Sequence, residues 1–303
     1  MLGSFSTFIS RYLPGKIQKI TVNAGFTCPN RDGSKGTGGC IYCNNASFSP
    51  SYTLTADSIE SQINEGKQFF ARKYPEMRYV VYFQSYTSTN APIGQLIEMY
   101  RRALSVDGVD GIIIGTRPDC MPQELLDALA EISRERFVMI EYGAESASDT
   151  TLRVINRCHT WAETEAAVKR TAAAGIPVGL HLIIGLPGET ESDVFQTIDR
   201  VNRLPVDTVK FHQLQVVRST RLAAGIADGT YSIMEFTPES YADLCVEILS
   251  RLRSDIVAER FLSQSPADMV IQPKWGLKNY QFMNLLRNRI SRLGASHLLE
   301  QHQ

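Results

Sequence analysis

Short runs of β-branched and aromatic residues recur along the chain, and longer amphipathic stretches lie between them. The runs are 17–22 (IQKITV), 79–83 (YVVYF), 111–115 (GIIIG), 137–142 (FVMIEY), 178–184 (VGLHLII) and 207–213 (DTVKFHQ). Several are apolar throughout, the pattern of a strand buried on both faces of a parallel sheet. The 3.6-residue period predicts a helix over 56–73, with Ile59, Ile63 and Phe70 on one face behind a Thr55 cap. A second is expected over 122–133, with Pro122 at its first position, and a third over 162–174, stopped by Gly175. Residues 190–203 and 238–252 continue the series. Strand–helix alternation with right-handed crossovers gives a parallel sheet. Six strands are too few for a closed eight-stranded barrel, so the expected fold class is α/β, an open (β/α)6 partial TIM barrel with a helical C-terminal extension. From about residue 214 the pattern loosens, and a helix over 278–292 follows SPADMVIQPKWG. This tail is expected to cap the open side, dividing the chain into a barrel core (1–224) and a helical cap (225–303).

Barrels of this kind place their chemistry just beyond the C-terminal ends of the strands. Three cysteines follow the first strand and Gln84-Ser85-Tyr86-Thr87-Ser88-Thr89 the second. Thr116-Arg117-Pro118-Asp119 follows the third, and Glu141, Gly143 and Glu145 stand at the end of the fourth. The fifth carries His181 and runs into Gly185-Leu186-Pro187-Gly188-Glu189. The sixth ends in His212, with Gln215 and Arg218 beyond. Polar groups from all six therefore converge on one mouth.

Composition changes this picture little. Of 303 residues, 43% are hydrophobic and 21% charged, with a net charge of −1, which gives no overall signature of a polyanion binder. Two regions are mildly basic. Residues 1–50 carry Arg11, Lys16, Lys19, Arg31 and Lys35 against Asp32 alone, and the segment from 245 onward has a similar excess. This fits either ordinary solvated charge or a local phosphate-binding face. No apolar run approaches a membrane span and the N-terminus lacks a signal-peptide pattern, so a cytoplasmic protein without a membrane is expected. Thiols stay reduced there, and clustered cysteines read as metal ligands.

Cys28-x11-Cys40-x2-Cys43 lies in a loop containing Gly33, Gly36, Gly38 and Gly39. Glycine lets backbone wrap closely around a ligand. Three thiolates are one fewer than a closed site needs, which leaves one iron of a [4Fe–4S] cluster open. The same residues could hold zinc with His159 or His181 as a fourth ligand. Cys120, Cys158 and Cys245 lack such spacing and read as packing residues.

The three-cysteine loop, with Tyr42 before its last cysteine, resembles the radical S-adenosylmethionine (SAM) superfamily. The long Cys28–Cys40 spacing is similar to the YhcC/YtqA branch, related to the Elongator catalytic subunit and to oxygen-independent coproporphyrinogen oxidase. TVNAGFTCPNRDGSKGTGGCIYC, YFQSYTSTNAP, GTRPDC, EYGAES, INRCHT, HLIIGLPGE and KFHQLQVVRSTRLA match it in order, from about residue 15 to 224. The resemblance implies that Cys28, Cys40 and Cys43 bind a [4Fe–4S] cluster whose fourth iron chelates SAM, and that reductive cleavage of SAM gives a 5′-deoxyadenosyl radical. It places Gln84, Ser85, Tyr86 and Thr87 where the family has a glycine-rich motif for the SAM amine, although the glycines and their acid are missing. It further implies SAM contacts from Glu145, Arg157, His181 and Gly185. Read alone, Glu145 could cap the helix near Ser148, Arg157 could pair with a surface acid, and His181 could be hydrogen-bonded core.

The branch also implies a substrate, the side chain of a tRNA wobble uridine, and an electron donor such as flavodoxin or ferredoxin. Tyr86, His212 and Trp275 are candidates to stack on an extruded base. A small-molecule substrate, or a zinc protein without radical chemistry, is the alternative.

Overall fold

The computed structural model describes residues 4–44, 53, 58–71 and 76–301. One sheet dominates it: β1 (Ile17–Val22), β2 (Arg78–Phe83), β3 (Val109–Thr116), β4 (Phe137–Glu145), β5 (Val178–Ile184) and β6 (Thr208–Gln213), all parallel and in sequence order. A short antiparallel pair joins β7 (Val216–Val217) to β9 (Val270–Gln272). The six expected strands are present, and β8 (Val257–Arg260) adds a seventh beside β6. β8 is only four residues long and ends in Glu259-Arg260, so it carries no apolar run by which to recognise it.

The helices are α1 (Phe5–Ile9), α2 (Ile59–Ala71), α3 (Ile93–Ser105), α4 (Gln123–Ser133), α5 (Asp149–Val154), α6 (Trp161–Ala173), α7 (Glu191–Val201), α8 (Arg221–Ala227), α9 (Pro238–Arg251), α10 (Asn279–Arg292) and α11 (Leu298–Gln301). Local signals explain several boundaries. Thr160 and Glu163 form a reciprocal capping box at α6, which ends ahead of Gly175 at φ +76°. Pro122 is the N-cap of α4, one residue ahead of its expected place. The proposed Thr55 cap lies outside the described residues; within them, Ser58 accepts a hydrogen bond from the Ser61 amide at 3.1 Å. α3 was not anticipated. It starts after Pro92 with no side-chain cap, although Leu96, Tyr100, Ala103 and Leu104 give it a buried face.

Strand alternation sorts the side chains into two compartments. Outward-facing Val81, Phe83, Ile112, Ile114, Val138, Ile140, Tyr142, Leu180 and Leu182 join the helices in one large core. Inward-facing residues change character along the barrel axis. At its lower end Val80, Tyr82, Ile113, Phe137, Met139 and Val257 pack with Phe8 and Ile9 of α1. Above that apolar plug the interior becomes charged. Lys19 on β1 reaches Glu259 on β8 at 2.9 Å and Glu141 on β4 at 3.4 Å. Lys210 on β6 also pairs with Glu141, and lies 3.8 Å from Glu259. The first and last strands of the sheet are thus joined by an ion pair across the interior.

The C-terminal segment is built into the sheet itself. It supplies β8 to the sheet, and α9 and α10 pack against each other outside it. Trp275 stacks on Phe282, lies against Tyr241 and donates its indole N–H to the Phe236 carbonyl at 3.0 Å. It belongs to that outer layer and does not line the barrel mouth, so a base-stacking role for Trp275 is not retained.

Removing one member of a buried ion network strands the others without compensation, at about 3–5 kcal/mol. Glu141→Gln is expected to destabilise the protein by that order, read as a lower midpoint in guanidinium denaturation. A midpoint unchanged from the parent would show that Lys19 and Lys210 do not depend on Glu141.

Candidate active site

Each strand end contributes to a single cavity of about 380 Å3 at the top of the barrel. Its wall includes Cys28, Cys40, Cys43, Gln84, Tyr86, Thr87, Glu145, Arg157 and His181, so nine of the eleven predicted site residues meet there. The other two do not line it. Ser85 is buried behind the β2 turn, and Gly185, at φ +96°, packs beside Phe236 and Leu214.

The cysteine loop is built on its own backbone. The Cys28 carbonyl accepts from the amides of Arg31 and Asp32, at 2.7 and 3.1 Å, and the Pro29 carbonyl from Lys35 and Gly36. The Cys43 amide donates to the Cys40 carbonyl at 3.1 Å, closing the CxxC turn. Ile41 ties that turn to its surroundings. Its amide donates to Ile155 beyond α5, and its carbonyl accepts from Leu222 in α8. Gly39, at φ +71°, gives its carbonyl to Asn156 Nδ2 at 2.8 Å and to Arg221. Lys35 reaches Asp119 at 2.7 Å, and Asp119 is held in a two-pronged pair by buried Arg117. The loop is therefore fastened to the turns after β3 and α5 and to α8.

Arg157 is the central cation. Its Nη1 points at the Cys40 sulfur at 3.6 Å, its Nη2 donates to the Gly143 carbonyl at 2.7 Å, and Glu145 Oε1 lies 3.3 Å from Nη2. A Cβ on Gly143 would sit 2.6 Å from that Nη2, so glycine is required there for the guanidinium to enter. Burial works against its charge, but Cys40, Tyr42 and Glu145 outweigh it and hold Arg157 firmly protonated. It pairs inside the cavity, not with a surface acid. Nor does Glu145 cap the following helix: Ser148 does, accepting from the Thr151 amide at 3.2 Å. Burial raises the Cys43 thiol pKa and neighbouring Cys40 raises it further, whereas Arg31 lowers it.

Four of the five non-glycine residues with left-handed backbone among the described residues surround this site: Tyr86, Glu145, Asn156 and Cys158, at φ +57°, +67°, +54° and +57°. Such conformations cost of order 1–3 kcal/mol each and concentrate where surrounding structure enforces a functional geometry. Cys158 is exposed, with its sulfur 3.1 Å from Asn30 Oδ1, so core packing does not describe it. Cys245 is buried in α9 as expected, and Cys120 is half-buried beside Asp119.

His181 is hydrogen-bonded within the barrel and also faces the cavity, with its Nε2 2.8 Å from Glu141 Oε2. His212 faces it, with ring centroids 5.2 Å apart. Burial keeps both below the ordinary histidine range; Lys210 adds to this for His181 and Arg260 for His212. His159 is buried away from the cavity, pushed down to about 2 by burial and by Arg157. Among the described residues no three His, Cys, Asp or Glu side chains converge as they would on a single metal ion. His159 lies away from the cysteines' cavity and His181 is engaged by Glu141, and a cluster would set each thiolate on a separate iron. Among the described residues four buried polar atoms of cavity-lining side chains, Thr87 Oγ1, Arg117 Nη1, Arg157 Nε and Arg260 Nε, have no hydrogen-bond partner. Three thiols, a guanidinium and unpartnered donors form a donor set that fits an iron–sulfur cluster with an anionic ligand.

Sequence reasoning missed part of the wall. Tyr82, Gln213, Arg260 and the segment Ser263–Ser265 also line the cavity. The signal for Arg260 was only that a charged residue stood among apolar ones in AERFL, at a strand not recognised as such.

A barrel whose strand tips unite three cysteines, a buried arginine and an acid has the arrangement of an enzyme that works on a cluster-bound small molecule. Residues 27–201 match the Radical SAM superfamily and residues 206–292 the Radical_SAM C-terminal domain, and the chain belongs to that superfamily. Its members use a [4Fe–4S] cluster and SAM. The chain is 33% identical to protein YhcC of Escherichia coli K12, over 91% of this chain and 87% of that one. It is 29% identical to YtqA of Bacillus subtilis, over 92% and 86%. Its fold is similar to that of Methanocaldococcus infernus Elp3 lacking N-terminal residues, with TM-score 0.66 and 15% identity, over 93% of this chain and 64% of that one. Among the described residues no helix is long and apolar enough to cross a membrane.

Glu189, which follows β5, offers a check on this geometry. It is buried and accepts a hydrogen bond from Ser146 Oγ at 2.5 Å, and burial raises its pKa from 4.5 to about 7. Between those values the unfolded chain has released a proton that the folded protein keeps, so stability falls as pH rises through the window. Glu189→Gln should be the more stable form above pH 7 by about 3 kcal/mol and match the parent near pH 4.5. Denaturant midpoints across this range measure it. A constant difference at every pH would mean that the carboxyl does not titrate there.

Proposed function

We propose that Cys28, Cys40 and Cys43 hold the [4Fe–4S] cluster in this cavity and that the enzyme modifies the side chain of a tRNA wobble uridine in the cytoplasm, with flavodoxin or ferredoxin as electron donor. The observation that carries the reading is the meeting of these three cysteines with Arg157 and Glu145 in one cavity of a superfamily member. Bound cluster and SAM supply reductive cleavage of SAM and a radical able to abstract hydrogen from carbon. The chain's residues bind and orient. Arg157 offers a fixed cation beside Cys40 for the SAM carboxylate, and its backbone carbonyl is steadied by Arg117 Nη2 at 2.8 Å. Thr87, Gln84 and Glu145 present polar groups for the amine and ribose, and His181 is held in place by Glu141.

The nucleic-acid part of the reading is supported by the rim. Arg31, Arg218 and Arg221 are exposed, and their side chains donate to main-chain carbonyls: Arg31 to Cys43, Arg218 to Asp268 and Arg221 to Gly39. Among the described residues none of the three pairs with a carboxylate, which leaves their charge available to phosphates. Tyr86, 40% exposed at the mouth, offers an aromatic face to a base.

Cys43→Ala, purified without oxygen, should lose its bound iron and produce no 5′-deoxyadenosine from SAM, whereas Cys245→Ala should retain both. 5′-Deoxyadenosine formation by the Cys43 variant would disprove the ligand assignment. The substrate is tested by deleting the gene and measuring tRNA nucleosides by mass spectrometry. An altered wobble uridine is expected; an unchanged nucleoside profile transfers the reading to a small-molecule substrate. For tRNA binding in vitro, Arg218→Gln and Arg221→Gln together should reduce the slope of log affinity against log salt by roughly two, about one per lost phosphate contact. An unaltered slope would remove the rim from the binding surface.

A further inference from the structure

The long loop between Cys28 and Cys40 closes back on Asn30. The Asn30 carbonyl accepts from the Gly39 amide at 2.7 Å, one residue ahead of Cys40, so main-chain contacts alone bring the two cysteines together. The Asn30 side chain is fully buried and makes three further contacts. Its Nδ2 lies 3.7 Å from the Cys40 sulfur and also donates to the Asn156 carbonyl, while its Oδ1 accepts from the Cys158 thiol at 3.1 Å. This pattern fixes which way the amide points. Turned over, its oxygen would face the Cys40 sulfur and the Asn156 carbonyl, two acceptors, and both N–H contacts would be lost.

The surroundings enforce that orientation from outside the loop. Asn156 and Cys158 reach Asn30 from left-handed backbone, at φ +54° and +57°. Asn156 Nδ2 returns to the loop at the Thr37 and Gly39 carbonyls, at 3.2 and 2.8 Å. A Cβ on Gly36 would strike the Asn30 amide oxygen and stand 2.8 Å from the Cys158 sulfur, so only glycine lets the loop pass over this pair. Closing the loop does not require an N–H directed at a sulfur, yet two strained residues and a glycine hold one there.

Cys40 is the most buried of the three clustered cysteines, and two side-chain donors reach its sulfur: Arg157 Nη1 at 3.6 Å and Asn30 Nδ2 at 3.7 Å. They differ in position. Arg157 faces the cavity, where an arriving anion competes for its guanidinium, whereas Asn30 lies behind the loop and does not line the cavity. The asparagine contact is therefore the same with the cavity filled or empty. Hydrogen bonds to cluster sulfurs set reduction potential, because an N–H dipole stabilises the added negative charge of the reduced form more than the oxidised one.

We propose that Asn30 is a positioning residue for the Cys40 thiolate, and that its amide N–H raises the reduction potential of the cluster held there. The inference rests on Cys28, Cys40 and Cys43 being the ligands, and not on any substrate.

The test uses the full chain with its cluster reconstituted under anaerobic conditions and without SAM. Dithionite supplies one electron per cluster through redox mediators, and electron paramagnetic resonance follows the reduced form. Asn30→Leu, close in size and without a donor, should take up the electron with a roughly tenfold smaller equilibrium constant, a midpoint lower by about 59 mV. A midpoint equal to or above that of the parent would overturn the proposal, even if the variant melts earlier or holds less iron, because Asn30 would then serve structure alone. A second measurement needs no variant. With nitrogen-15 in the asparagine side-chain amides of the parent, electron–nuclear double resonance of the reduced cluster should detect a coupled nitrogen; its absence would overturn the proposal whether or not Asn30→Leu can be loaded. Iron binding by Cys43→Ala reads the ligand set separately, so a parent that loads its cluster normally but shows neither effect defeats this inference alone.

Discussion

The buried ion pair between Lys19 and Glu259 joins the two ends of an otherwise open sheet, and the site above is built on that closure. A parallel sheet of seven strands has two free edges, and here they come together around the barrel interior. Charges so deep lose hydration, and each persists only because its partners replace the lost water. Burial pushes the Glu141 carboxyl up, yet Lys210, Lys19 and His181 outweigh it and hold Glu141 well below the usual carboxylate range. Lys210, by contrast, is brought down to about 8 by burial, against the pull of Glu141 and Glu259. The network fixes β1, β4, β6 and β8 relative to one another, and with them the places where the cysteine loop, Glu145, His212 and Arg260 emerge.

Above that layer, positive side chains organise the cysteine loop. Arg117 holds Asp119, Asp119 holds Lys35, and Lys35 belongs to the loop itself; Arg117 also anchors the backbone of Arg157. A chain of charge-assisted contacts thus runs from the loop surface to the guanidinium beside Cys40. Fixing the donors before any ligand arrives reduces the ordering that binding must impose. The left-handed conformations of Glu145, Asn156 and Cys158 on either side of Arg157 suit the same purpose, since they are held there by surrounding contacts.

Much of this was legible in the residues. Apolar runs located six strands, with ends within three residues of those observed, because their outward faces are uniformly buried, as in Val138, Ile140 and Tyr142 of β4. The convergence of polar groups at strand ends followed from topology alone. What escaped had weak or contrary local signals. β8 is short and ends in charges, and α3 begins without a capping side chain. Glu141 was expected at the mouth, but its pairing with Lys19 and Lys210 depends on contacts across the curled sheet that no local pattern reveals. Trp275 and Ser85 show the converse error: proximity in sequence to a motif does not place a side chain in the cavity.

The apolar plug has a last consequence. Phe8 and Ile9 of α1, with Ile113, Phe137 and Met139, fill the barrel below the charged layer. Among the described residues the chamber is therefore closed below and opens at the strand tips. The first molecule to enter narrows the way for the second, and spent molecules must leave through the same door before another cycle can begin. Order of arrival and departure is thereby written into the shape of the vessel.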